Sequence, residues 1–219
     1  LDQPVGYKFP WKNINGKISC RPGELSVWTG VKGHGKSQLL TYSIINHINQ
    51  GGNVCIANCE LQPVKMLIRM ARQIAGIRQP SNAAIDQICE WLGDNLWVVS
   101  PKGTSKADGL IEVFEYGCQR YGIDVFVVDS LMQLGFAEND YNGQKKFIDQ
   151  LCDLKDQYNC HVHLVVPLRE SKSEADMPNR FDMQGSGSIS DLADNCLIIC
   201  HNKKKEELIR RLVAEEKCI

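Results

Sequence analysis

Gly30-Val31-Lys32-Gly33-His34-Gly35-Lys36-Ser37 is the stretch on which the fold turns. It fills every fixed position of the pattern G-x-x-x-x-G-K-[S/T]. At average residue frequencies, chance would fill the four positions somewhere in a chain of this length with a probability of roughly one in a hundred. The flanks make chance less credible still. Leu25–Thr29 is an apolar run of strand length, and Ser37–Asn49 carries helical periodicity from Leu39 and Leu40 onward. Glycines between a strand and a helix let main-chain N–H groups converge on a phosphate without Cβ clashes, and the helix start adds its positive dipole end. Gly30, Val31, Lys32, Gly33, His34, Gly35, Lys36, Ser37 and Gln38 are therefore expected to cradle a nucleoside triphosphate. Lys36 would reach the β- and γ-phosphates, and the Ser37 hydroxyl would ligate Mg²⁺.

Outward from this loop, short apolar runs alternate with helix-period segments. Strands are expected at 53–58, 96–100, 124–129, 161–166 and 195–200, and helices at 64–75, 83–92, 107–121 and 145–158. The periodicity of 64–75 places residues 64, 67, 68, 71, 74 and 75 on its apolar face. That of 107–121 places 110, 113, 114, 117 and 121. Strands apolar on both faces and separated by helices predict an α/β domain whose central sheet is mainly parallel, with helices on both faces. Ligands of such sheets bind beyond the carboxyl ends of the strands.

Two acids fall at predicted strand ends. Val125-Phe126-Val127-Val128-Asp129 closes in a carboxylate, and Asp129 is expected to hold Mg²⁺ beside Ser37. Hydrolysis also needs a carboxylate to orient and deprotonate water. Ser130 follows Asp129, so the residue in view is Glu60, at the end of Val54-Cys55-Ile56-Ala57-Asn58-Cys59-Glu60. Parallel strands bring their carboxyl ends to one edge, so Glu60 and Asp129 can flank the same γ-phosphate. Lys36 and Glu60 are the expected catalytic pair.

Composition narrows the setting. No apolar run approaches the roughly 20 residues needed to span a bilayer, and residues 1–10 do not read as a secretory signal. The 10 cysteines contain no C-x-x-C pair. Cys55/Cys59 and Cys196/Cys200 are four apart in strand-like runs, roughly 13 Å on an extended chain, too far for one metal. They read as small hydrophobes in a reducing, intracellular compartment. With 25 basic and 26 acidic residues the formal charge is −1, so any nucleic-acid contact must be local or summed over several subunits.

With these sites in this order, the chain resembles the DnaB-type replicative helicases within the RecA-like ATPases, and is similar to the phage primase-helicases and Twinkle. The resemblance rests on Pro22-Gly23-Glu24-Leu25 before the P-loop, Asn58-Cys59-Glu60-Leu61-Gln62-Pro63, Val127-Val128-Asp129-Ser130-Leu131, and Asp182-Met183-Gln184-Gly185-Ser186-Gly187 with Ala193-Asp194-Asn195. It implies a homo-hexameric ring around single-stranded DNA, powered by ATP with Mg²⁺, and a primase domain or protein as possible partner. It also implies that the loops 135–143 and 168–183 face the DNA, with Arg169, Lys172, Arg180, Gly185 and Ser186 as the expected contacts.

The chain departs from the family in three respects. Pro167 stands where the family carries a γ-phosphate-sensing Gln or His, and proline has no N–H to donate. His163 is four residues upstream, whereas Gln184 or Arg169 is a candidate substitute. The family's arginine finger and its linker helix have no visible counterpart; Arg210 and Arg211 sit in a charge-mixed tail that reads as a solvated face. The expectation is one RecA-like domain over residues 1–219, a piece of a longer helicase that hydrolyses ATP slowly alone. A RecA- or KaiC-like ATPase, a nucleotide-binding module with little hydrolysis, and a small-molecule kinase are the rival readings.

Overall fold

The structure, a computed structural model, describes residues 6–59, 62–101, 106–137, 139–169, 178–185, 187–202 and 205–208. Two short strands, β1 (Tyr7–Lys8) and β2 (Ser19–Cys20), pair antiparallel ahead of the main sheet. The main sheet is built from β3 (Leu25–Gly30), β4 (Val54–Asn58), β5 (Leu96–Val99), β6 (Val125–Asp129), β7 (His161–Val165) and β8 (Asn195–Ile199). Its order is β5-β4-β6-β7-β3-β8, and every pairing is parallel. The helices are α1 (Lys36–Asn49), α2 (Pro63–Ala75), α3 (Asn82–Gly93), α4 (Lys106–Tyr121), α5 (Tyr141–Tyr158) and α6 (Ser188–Leu192).

Two apolar clusters flank the sheet, as expected for helices on both faces. One joins alternate residues of β3, β4, β6 and β7 to Leu110 and Phe114 of α4 and Phe147, Leu151 and Leu154 of α5. The other joins the opposite faces, Trp28, Val54, Ile56, Val125 and Val165, to Leu40, Ile44, Met66 and Met70. The central strands are buried throughout, which is why their sequence reads as apolar runs without alternation.

Local chemistry sets the helix ends. Pro63 starts α2 with its φ already helical, and Gly76 ends it in the left-handed conformation. Ser81 caps α3 by accepting from the Ala84 N–H at 3.2 Å. Helix α5 begins four residues before the expected Lys145. Asp140 caps it through the Gly143 N–H at 2.9 Å, and the bare Gly143 leaves room for that carboxylate.

The expected apolar faces of two helices require correction. In α2 the buried residues are Met66, Met70 and Ala71, while Val64 is 66% exposed and Ile68 44%. In α4 Leu110, Ile111 and Phe114 are buried, but Val113 and Tyr121 are exposed. Leu67, Ala71, Ile74 and Ala75 of the expected α2 face and Leu110 and Phe114 of the expected α4 face do pack against the core. The correction is therefore confined to Val64, Ile68, Val113 and Tyr121 and to the added Met66, Met70 and Ile111.

A polar seam runs through the second cluster. His161 donates from Nδ1 to the Arg21 carbonyl at 2.7 Å and accepts from Ser26 Oγ at 3.0 Å. Trp28 Nε1–H donates to His163 Nδ1 at 3.1 Å, so the proton of that ring sits on Nε2. Cys20, His47 and His163 bring ligand-type atoms within 4.8 Å of one another. Neither nitrogen of His163 has a lone pair left for a cation, so we read the group as polar core. Among the described residues no helix is long and apolar enough to cross a membrane, and nine cysteines are free.

Candidate functional site

Strand β3 carries the chain to the carboxyl edge of the sheet and α1 leads it away, so residues 30–35 close over that edge. Gly33 and Gly35 have φ of +83° and +88°, a conformation that costs other residues roughly 1–2 kcal/mol. Gly30, at φ +148°, runs so close to β8 that a Cβ there would strike the Ile199 carbonyl. The cap of α1 is Gly35, which offers no side chain to the helix start. The N–H groups of Gln38 and Leu39 return to its carbonyl at 3.1 and 2.9 Å. A helix start without a side-chain cap is suited to an external anion. Lys36 Nζ donates to the carbonyls of Gly30 at 2.8 Å and Val31 at 3.4 Å, which holds the ammonium across the loop.

Asp129 ends β6 in register with Asn58 of β4, and the Cys59 N–H donates to its carbonyl at 2.8 Å. The chain leaving β4 therefore runs beside Asp129. Glu60 lies outside the described residues, one position beyond Cys59.

One cleft of about 1210 Å³ collects the P-loop, Asp129, Pro167, Arg169 and Gln184. Pro167 accepts at its carbonyl from the Gln184 N–H at 2.8 Å, and Arg169 donates from its guanidinium to the Gly185 carbonyl at 3.3 Å. Both suggested substitutes for the missing sensor thus line the cleft. His163 is fully buried and does not.

The cleft also takes in residues that the sequence reading did not single out. Arg69, Arg72 and Gln73 of α2, with Gly76 and Arg78, form its other wall. Positions 69, 72, 73 and 76 share one helical face (i, i+3, i+4, i+7), beside the buried stripe. Neither Arg69 nor Arg72 has an ion-pair partner among the described residues. The signal was present as a polar stripe, but surface arginines carry the same pattern.

Of the expected DNA contacts, Arg180 is exposed, with its guanidinium 4.8 Å over the ring of Phe181, which is 67% exposed. Gly185 is buried at φ +103° beneath Gln144. Lys172 and Ser186 lie outside the described residues. Two of the quoted motifs meet away from the cleft, at the amino ends of β3 and β8. Asp194 accepts from the Leu25 N–H at 2.7 Å, and Asn195 donates to Glu24 at 2.9 Å. Lys155 donates to the Gly23 carbonyl at 2.8 Å and lies 3.5 Å from Asp194. Those residues tie strand starts together.

An all-parallel sheet with a P-loop at its carboxyl edge defines the class: this is a RecA-like P-loop fold. In sequence the chain is 23% identical over 218 residues to "Twinkle homolog protein, chloroplastic/mitochondrial" of Arabidopsis thaliana. That match covers 90% of this chain and 31% of the relative, so the chain spans about a third of that protein's length. Among solved structures it is similar to one described as an ATPase domain, with a TM-score of 0.69 and 13% identity over 85% of this chain and 72% of that one. It is also similar to a DnaB-like replicative helicase described with its interactions with primase. There the TM-score is 0.77 and the identity 13%, over 94% of this chain and 56% of that one. No family model matches the sequence.

Proposed function

We propose that the chain is one RecA-like ATPase domain, the ATP-binding and ATP-hydrolysing motor of a ring-forming replicative DNA helicase acting on single-stranded DNA. The observation that carries this is the meeting of the P-loop and Asp129 in one cleft at the carboxyl edge of a parallel sheet. The cradle suits a triphosphate tail, because Gly33 and Gly35 hold the left-handed backbone that turns the loop and its helix start is uncapped. Likeness to DnaB-like and Twinkle-type proteins supports the helicase assignment over a RecA- or KaiC-like one.

In this reading residues 30–38 bind the phosphates and Lys36 stabilises charge on the β- and γ-phosphate oxygens. Ser37 and Asp129 hold Mg²⁺, which when bound screens the phosphates and polarises the γ-phosphorus. Glu60, following Cys59 at the same edge, orients water and accepts its proton. Gln184 or Arg169, both in the cleft lining, stands in for the donor that Pro167 lacks. Arg180 with Phe181, Arg169, Lys172 and Ser186 meet the DNA, whereas Gly185, expected among the contacts, is buried beneath Gln144 with its carbonyl accepting from Arg169. An exposed guanidinium over an exposed ring is the kind of platform on which bases stack. A homo-hexamer would sum such weak contacts, and a primase is the further partner suggested by the DnaB-like neighbour. An intracellular, reducing setting accompanies this reading.

The test is Glu60→Gln in the protein carrying this domain. ATP affinity should stay within about twofold while hydrolysis falls at least roughly a hundredfold, the usual contribution of a general base. Hydrolysis at the parental rate would remove Glu60 from the chemistry.

A further inference from the structure

A second pocket, of about 520 Å³, adjoins the phosphate cleft and shares Gly35, Gln38 and Gln73 with it. Its remaining lining is Trp11, His34, Leu39 and Tyr42. A triphosphate is a linear chain. With Lys36 at its β/γ end, the α-phosphate would emerge at the first turn of α1, beside Gln38 and Leu39. Whatever is attached to that phosphate must continue into the space next to it, and this pocket adjoins that turn. We propose that it is the nucleoside subsite of the cleft, in which a nucleobase stacks on Trp11 and Tyr42 and is read by His34 and Gln73. The proposal rests on the P-loop reading above and adds where specificity for a nucleotide over a bare polyphosphate resides.

The aromatic floor is held in place from behind. Trp11 stacks on the buried Phe9, with centroids 6.0 Å apart and planes 20° apart. Tyr42 lies 6.2 Å from Trp11 at 58°, so the two rings do not cover one another face to face, and Tyr42 is 42% exposed. Half-open aromatic surface beside a phosphate site is what a base uses for stacking. A volume of this size falls in the range of small-molecule sites.

A second observation is independent of the rings. His34 Nε2 and Gln73 Oε1 are buried without a hydrogen-bond partner among the described residues. Their chemistry is fixed by what the rest of each side chain does. His34 Nδ1 accepts from the His201 N–H at 3.1 Å, so Nε2 carries the proton and is a donor. The Gln73 amide donates to the Gln38 carbonyl at 2.9 Å, so its orphaned atom is the acceptor oxygen. One donor and one acceptor in the lining complement the edge of a base, and inorganic phosphate has no use for the acceptor.

The experiment compares Mg²⁺-ATP with Mg²⁺-tripolyphosphate by calorimetry on the 219-residue chain. The parent should bind ATP at least about tenfold tighter than tripolyphosphate, and Trp11→Ala should lose about tenfold in ATP affinity while tripolyphosphate stays within about twofold. Trp11→Phe should restore most of the loss. Because Trp11 also packs on Phe9, the more exposed Tyr42→Ala serves as a second variant, and it should show the same selective loss. Equal affinity of the parent for the two probes, or Trp11 and Tyr42 variants that weaken both probes alike or neither, would overturn the subsite while leaving the P-loop reading intact. A parent that takes up neither probe overturns both.

Discussion

Gly30 shows how closely the strand that enters the phosphate loop packs on β8. Its φ of +148° and the Ile199 carbonyl packed against its missing side chain act together, so Gly30→Ala should cost about 1–3 kcal/mol of stability and weaken ATP binding as well. Urea unfolding with parallel calorimetry checks this, and an unchanged midpoint would mean that β8 gives way without cost. Gly33 and Gly35 differ, since nothing lies where their Cβ atoms would fall and only the backbone constrains them. This loop was legible in the sequence because a fixed spacing of glycines, lysine and hydroxyl is imposed by backbone geometry. Arg69, Arg72 and Gln73 were not, because an arginine on a helix surface looks the same whether it faces solvent or a cleft. Arg180 was legible only as a charge, while the exposed ring beneath it comes from Phe181 next door.

Helix α2 combines three functions on one cylinder. Met66 and Met70 anchor it, Arg69, Arg72 and Gln73 face the cleft, and Val64 and Ile68 are exposed. Met70 is fully buried, so Met70→Ala should destabilise by about 2–4 kcal/mol, whereas Val64→Lys should stay within about 0.5 kcal/mol of the parent. Thermal or urea melts of the pair decide it; a costly Val64→Lys would restore the face first read from periodicity. That face was misread only in its width, at Val64 and Ile68 on one side and Met66 and Met70 on the other, because spacing alone does not say how far round the cylinder the core reaches. The strands of the main sheet were legible to within a residue or two, since burial on both faces forces continuous apolar runs. The start of α5 was hidden because Tyr141, Asn142 and Gly143 carry no apolar period, and the cap at Asp140 alone marks it. Strands β1 and β2 and helix α6 are too short to show a period at all.

At the scale of the molecule, the β3–β7 seam makes stability depend on acid. Burial holds His47 down at about 3 and His161 at about 4, and drives His163 well below the ordinary value near 6.5. All three stay neutral in the folded chain while the unfolded chain takes up protons below roughly pH 6.5, so stability falls as pH falls through that value toward 4. Between pH 7 and pH 5 the loss should be roughly 2 kcal/mol each for His47 and His161, with His163 acting in the same direction. A urea midpoint independent of pH over that interval would show that these rings reach water in the native state. The same sheet carries the phosphate site at its opposite edge, and the functional account stands or falls there. Calorimetric titration of the parent and of Lys36→Ala with ATP, with and without Mg²⁺, is the most direct trial. Saturable, Mg²⁺-dependent binding by the parent, weakened roughly tenfold to a hundredfold in a variant that melts like the parent, is the result expected from losing the loop's ammonium. Equal affinity of the two proteins, or no Mg²⁺-dependent uptake by the parent, would contradict the account.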